Sequence, residues 1–151
     1  MAIISSQAGQ VLQVQTRTIG NGVFASTDST NFVDVTNVYV DIAPIHANSI
    51  LIWSYTMTFN TSATAGYGRF RIVDSKNSDT KWNSNDFIAS YGYNYGSGSM
   101  WADNPFQHAA TSGTTNLMRL QLQGRVNGGG NLRGDWSNGD DRSVVVMEVA
   151  Q

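Results

Sequence analysis

The sequence has no cysteine, two prolines, a single glutamate and two lysines in its 151 residues. The absence of cysteine rules out disulfides, thiolate zinc sites, iron–sulfur clusters and thiol nucleophiles. Charged residues make up 13% of the chain, about half the usual share. With so little glutamate and lysine, the i,i+4 pairs that support surface helices can scarcely form, so helix is disfavoured throughout. Nine basic residues against eleven acidic ones leave a formal net charge of −2. That balance offers no cationic footprint to a phosphate backbone, and nucleic acid is not expected as a partner. The opening Met1-Ala2-Ile3-Ile4-Ser5-Ser6 has neither a basic flank nor a long apolar stretch. No apolar run elsewhere approaches the roughly 20 residues that cross a bilayer as a helix, so no membrane partner is expected either.

What the chain does have is turn chemistry, with 16 Ser, 15 Gly, 14 Asn and 13 Thr interspersed with Val, Ile, Tyr, Phe and Trp, residues that suit a pleated surface. In residues 50–59, Leu51, Trp53, Tyr55, Met57 and Phe59 share one face while Ser54, Thr56 and Thr58 share the other. This period of two marks a strand. Residues 117–126 alternate in the same way, with Met118, Leu120, Leu122 and Val126 opposite Arg119, Gln121, Gln123 and Arg125; the second set predicts a face open to water. Further strands are expected over 11–18, 32–42 (one strand with a bulge, or two short ones), 67–74, 87–93 and 144–149. Residues 77–116 are the least patterned and are expected to contain long loops, and the glycine-rich 127–131 reads as a hairpin tip. Seven or eight antiparallel strands so punctuated predict an all-β chain: a single β-sandwich or jelly roll over residues 11–151, preceded by an N-terminal arm over 1–10. A domain of this size buries about 70% of its unfolded surface and needs no metal or cofactor to hold its core.

Catalysis finds little support, and the chain is expected not to be an enzyme. His46 follows Pro44 in a turn and His108 lies in a Phe-Gln-His-Ala-Ala segment, neither near a Gly-x-Ser-x-Gly nucleophile motif; loop or packing roles are expected for both. Asp140 and Asp141 are the only adjacent carboxylates, and neighbours on a turn diverge, unlike the facing pair of a glycosidase. The run Asp74-Ser75-Lys76-Asn77-Ser78-Asp79 resembles a calcium loop but lacks its glycine, with Asn85 where the bidentate glutamate falls. A plain surface loop is expected there. One segment invites a binding role, since Tyr91, Tyr93, Tyr95 and Trp101 stand among glycines and small polar residues, combining rigid stacking faces with adaptable hydrogen bonding. Two readings stand: a surface for a sugar or protein, or packing on the sandwich and across a subunit contact. Ile3 and Ile4 form an apolar pair ahead of the first strand, suited to a groove of a neighbouring shell or sister subunit.

Several phrases, in order, resemble short bacteriophage virion proteins, both capsid decorations and tail-fibre tips. They are Gly9-Gln10-Val11-Leu12-Gln13-Val14, Phe32-Val33-Asp34-Val35-Thr36, Ile42-Ala43-Pro44 ahead of Ser49-Ile50-Leu51-Ile52, Asp103-Asn104-Pro105 and the closing Met147-Glu148-Val149-Ala150. The aromatic 91–101 loop is not part of that pattern. The resemblance implies a non-enzymatic virion component of β-sandwich or jelly-roll fold, usually a homotrimer. Because the pattern begins within ten residues of Met1, the expectation is a stand-alone capsid decoration, or cement, protein bound to the major capsid protein on the head surface. The alternative is a small tail-fibre or receptor-binding component that recognises a host surface glycan through its loops.

Overall fold

The computed structural model describes residues 7–19, 25–61, 67–78, 80–82, 87–91, 102–127, 132–134 and 142–151. Its strands are β1 (Val11–Ile19), β2 (Ala25–Thr27), β3 (Val33–Ile42), β4 (Ile50–Thr61), β5 (Tyr67–Asp74), β6 (Thr80–Lys81), β7 (Phe87–Tyr91), β8 (Ala102–Thr111), β9 (Met118–Asn127), β10 (Leu132–Gly134) and β11 (Arg142–Val149). No helix occurs among the described residues. The seven strands of eight or more residues divide into two sheets, β1, β11, β4 and β8 in the first and β3, β9 and β5 in the second. The short strands complete the pattern. β2 and β10 pair beyond the ends of β1 and β11, and β6 and β7 together line the free side of β5. Eight antiparallel lines result. Numbered along the chain, they run 1-8-3-6 in one sheet and 2-7-4-5 in the other, the doubly wrapped order of a jelly roll.

The inner faces meet over Leu51, Trp53 and Tyr55 of β4, Val144 and Val146 of β11 and Phe106 of β8 on one side. Val38, Val40 and Ile42 of β3, Phe70 and Ile72 of β5 and Leu120 and Leu122 of β9 meet them from the other. Trp53 and Tyr55 meet edge to face at 6.1 Å, and Phe70 and Phe106 pack tilted at 5.1 Å across the two sheets. The expected alternation of β4 holds at Leu51, Trp53 and Tyr55, all buried, with Thr56 exposed.

The strand expected over 32–42 is a single strand with a bulge. Its register against β9 shifts between Asp34 and Tyr39, and Asn37 takes a φ of 63°, a left-handed conformation that asparagine tolerates better than most residues. The bulge resets the alternation, so that Val35 and Val38 both point inward three positions apart. It also breaks the ladder, and the Gln121 side-chain amide takes over, donating to the Val35 carbonyl at 2.9 Å and the Val38 carbonyl at 3.2 Å.

Three expectations need correction. Within residues 77–116 the strand expected over 87–93 is present as β7, but β8, where no strand was expected, runs ten residues and pairs with β4 along its whole length, from Ile50↔Thr111 to Phe59↔Ala102. Pro105 is tolerated there because no other described strand pairs with β8, leaving it an edge. Residues 128–131, the expected hairpin tip, lie outside the described residues, but the strands that flank them do not pair as a hairpin. β9 belongs to the second sheet and β10 to the first, since both sides of β9 are already paired, with β3 and β5. Finally, the polar side of β9 is only partly open to water, since Arg119 and Arg125 are partly exposed but the two glutamines between them are buried. Gln121 and Gln123 are 5% and 4% exposed, their amides satisfied by the β3 bulge, Asp34 and Arg71.

Candidate functional site

Glutamate occurs once in the chain, as Glu148 on β11, in register between Gln13 and Leu51 on the inward side of the first sheet, where it is fully buried. One oxygen accepts from the Ser49 hydroxyl at 2.5 Å and from the backbone N–H groups of Ile45 and His46 at 2.8 and 3.1 Å. The other accepts from the Gln13 amide at 2.6 Å and the Ile45 N–H at 3.0 Å. Burial pushes the carboxyl up, but the donors from Ser49, Gln13, Ile45 and His46 outweigh it and hold Glu148 below its ordinary value. An anion so saturated has no lone pair left for a substrate. It is a clamp that joins β1, the 43–49 loop and the last strand.

The same corner is closed by further bonds. Gln13 donates to the Ala43 carbonyl, Ser49 and Ser112 both donate to the His46 carbonyl, and Gly113 donates to Ala47 at 2.8 Å with a φ of 72°. Gly9 and Ala150 tie the two ends of the described chain together through the Gly9 N–H to Ala150 carbonyl bond of 2.9 Å. His46 contributes its backbone here while its side chain is exposed. His108 lies on β8, edge to face with Trp82 at 5.2 Å, and burial lowers its pKa. Both histidines thus take the loop and packing roles expected of them.

Asp74, at the head of the supposed calcium loop, is 4% exposed. It accepts from the N–H groups of Lys76 and Arg119 and from the Asn77 amide, which makes it a turn organiser. Among the described residues no three His, Asp or Glu groups lie close enough to hold a metal ion.

Chemistry of a different kind lies on the two outer faces. Across the outside of the first sheet run three rows of directly opposed residues: Val11–Val149–Ile50–Thr111, Val14–Met147–Ile52–Ala109 and Thr16–Val145–Ser54–Gln107. None of these positions is charged. Val11 and Val14 are 49% and 50% exposed, and Ile50, Ile52, Val145, Met147 and Val149 are partly exposed. An open depression beside them is lined by Ser54, Tyr55, Thr56, Pro105, Phe106, Gln107 and Ser143, none of them a charged residue.

The outside of the second sheet is built from arginine and aromatic rings. Tyr39 on β3 has the Arg17 guanidinium 4.0 Å and the Arg119 guanidinium 4.1 Å from its ring centre. Phe32 has those of Arg71 and Arg125 at 4.4 and 4.8 Å. Arg119 also grips Asp41 through two bonds of 2.8 and 2.9 Å. That bidentate bond leads among the causes that hold the Asp41 carboxyl below its usual range, with Lys76 and Arg17 adding to it.

Of the residues singled out in the sequence, Ile3, Ile4, Tyr93, Tyr95, Trp101, Asp79, Asn85, Asp140 and Asp141 lie outside the described residues. Tyr91 ends β7 opposite Tyr67, and its side chain is also outside the description. The features the sequence reading missed had a signal. Val144, Val146 and Glu148 share one parity of a strand, which places the lone glutamate with the core, and Arg119 and Arg125 share a parity on β9.

No protein-family model matches this chain, and no curated protein matches it. Among solved structures the chain is similar to VP2 in the crystal structure of an infectious bursal disease virus subviral particle, with a TM-score of 0.51 and 14% identity over 93% of this chain and 39% of that one. A chain in the structure of the Gx strain of that virus gives a TM-score of 0.49 and 16% identity, over 91% of this chain and 32% of that one. The present chain therefore spans well under half the length of the proteins it resembles. The likeness is one of fold, a jelly roll shared with the VP2 chain of that particle, and it does not single out bacteriophages.

Proposed function

We propose that the chain is a structural protein of a bacteriophage virion: a homotrimeric capsid decoration, or cement, protein that binds the major capsid protein on the head surface and stabilises the shell, without catalytic activity. The observation that carries this reading is the set of three uncharged rows across the outer face of the first sheet, with Val11 and Val14 half exposed. An apolar sheet face of that kind marks a protein contact. In a cyclic trimer each contact joins two different patches, so every copy of this face is covered once the ring closes. The virus-capsid jelly roll and the ordered phage-like phrases support the same reading.

A decoration protein that binds only the assembled shell stabilises it by mass action. Heads and tails purified separately are expected to contain the chain in the head fraction, and heads lacking it are expected to break at lower temperature or under milder osmotic shock. Recovery of the chain with the tails, together with heads as robust as wild type, would replace this function with the fibre one.

A further inference from the structure

Building on the shell-bound reading, we propose that the outer face of the second sheet docks on an acidic protein surface, presented in that reading by the shell subunit, through the guanidinium groups of Arg17, Arg71, Arg119 and Arg125. These are four of the nine basic residues of a chain whose net charge is −2, gathered around two rings, with Asp34, Asp41 and Asp74 as their acidic companions among the described residues. The charge is therefore local, and opposite in sign to that of the chain as a whole.

The arginines are also held in place. Arg17 donates through Nε to the Asn37 carbonyl at 3.2 Å while lying on Tyr39, and Arg71 donates through Nε to Gln123 at 2.8 Å while lying on Phe32. Stacking and the Nε bond together fix each plane, and the terminal Nη groups of both have no partner among the described residues. A planar fork of that kind is pre-organised for a carboxylate, which it binds through two parallel hydrogen bonds, and less ordering entropy is lost on docking.

The geometry favours protein over sugar. Sugar rings stack on open aromatic faces, whereas Tyr39 is flanked by Arg119 from β9 and Arg17 from β1. From Gln121, opposite Tyr39, to Arg125, beside Phe32, is four residues along β9, or about 13 Å. Two oxyanion-binding points at that spacing on a sheet face match carboxylates scattered over a protein surface. Arginine and tyrosine are moreover the residues that most often dominate such contacts.

The test uses the purified chain and its R17Q/R71Q variant against three probes: heads isolated without the chain, poly-glutamate, which carries carboxylates on peptide, and hyaluronate, which carries them on sugar. The wild type is expected to bind heads and poly-glutamate, and the variant to bind both about tenfold or more weakly with an unchanged melting temperature. R17K/R71K, which keeps the charge but loses the fork, is expected to fall between them. Raising the ionic strength from about 0.05 to about 0.5 M should weaken the wild type more than R17Q/R71Q, a comparison that stands even if one variant folds poorly. Equal binding of wild type and R17Q/R71Q to heads would overturn the proposal, as would tighter binding of hyaluronate than of poly-glutamate. Arginine-dependent binding to poly-glutamate with none to heads would remove the shell reading and leave the acidic-surface face standing.

Discussion

The first sheet carries a carboxylate inside and a row of partly exposed apolar residues outside, whereas the second carries its arginines outside. Both are built from strands of alternating polarity, and both close over the same core. In the first, Glu148 sits on the inward face and accepts five hydrogen bonds from four donors, while the outward Val14 is half exposed and Met147 and Ile52 are partly exposed. In the second, the outward Gln121 and Gln123 are sealed beneath their own bonds and the arginine–ring stacks. Alternation tells which residues share a face. It does not tell which face is wet, because a buried polar group is tolerated wherever its partners are complete.

The largest expected effect lies in the first sheet. Replacing Glu148 by alanine strands the donors of Gln13, Ile45, His46 and Ser49 around a buried void, and we expect a loss of about 3–5 kcal/mol in urea unfolding. A variant that unfolds like wild type would show that water can take over the clamp. The pH dependence follows from the same site. Because the folded carboxyl lies below its ordinary 4.5, the stability it contributes is complete above that value. It is lost as pH falls through the ordinary range towards the folded value. Wild type should therefore weaken between about pH 5 and pH 3 more steeply than Glu148→Gln, measured by unfolding at each pH. Equal slopes would place the acid sensitivity in other carboxylates.

The second sheet is expected to yield less. Gln121→Ala removes one amide that serves three carbonyls, those of Val35, Val38 and Leu122. We expect a loss of about 1–3 kcal/mol, with amide hydrogen exchange rising at the β3 bulge before the rest of the sheet. Uniform exchange across the sheet would mean that the bulge holds without its side-chain partner.

How much of this was legible depended on whether a strand's signal was local. β4 and β9 declared themselves through ten-residue alternation, and the bulge in β3 was visible as a pattern that could be one strand or two. β8 was not legible, since Ala102–Thr111 contains Pro105, His108 and three alanines and becomes a strand only because β4 offers it a full-length edge. The arginine–ring stacks were hidden for a related reason: Arg17 and Tyr39 are 22 positions apart and meet where β1 and β3 pass each other at the side of the sandwich. The role of Glu148 needed the fold as well. Its inward parity can be read from the terminal strand, but its donors come from residues 13, 45, 46 and 49.

The smallest effect on the chain itself is expected on the apolar face, and it separates the two sheets most sharply. Val14 is 50% exposed and faces Met147 on the outside of β1, so Val14→Asp removes little buried area within one subunit and should change its unfolding free energy by about 0.5 kcal/mol or less. In the proposed trimer the same position would be covered, and a carboxylate buried there without a partner is strongly disfavoured. Light scattering at micromolar concentration should then show trimer for wild type and monomer for Val14→Asp, while R17Q/R71Q stays trimeric because its charges lie on the other face. A wild-type chain that is monomeric in solution and on isolated heads would refute the trimer. A trimer that survives Val14→Asp but dissociates on R17Q/R71Q would exchange the roles of the two faces, making the arginine stacks the subunit contact and the valine face the surface that meets the shell.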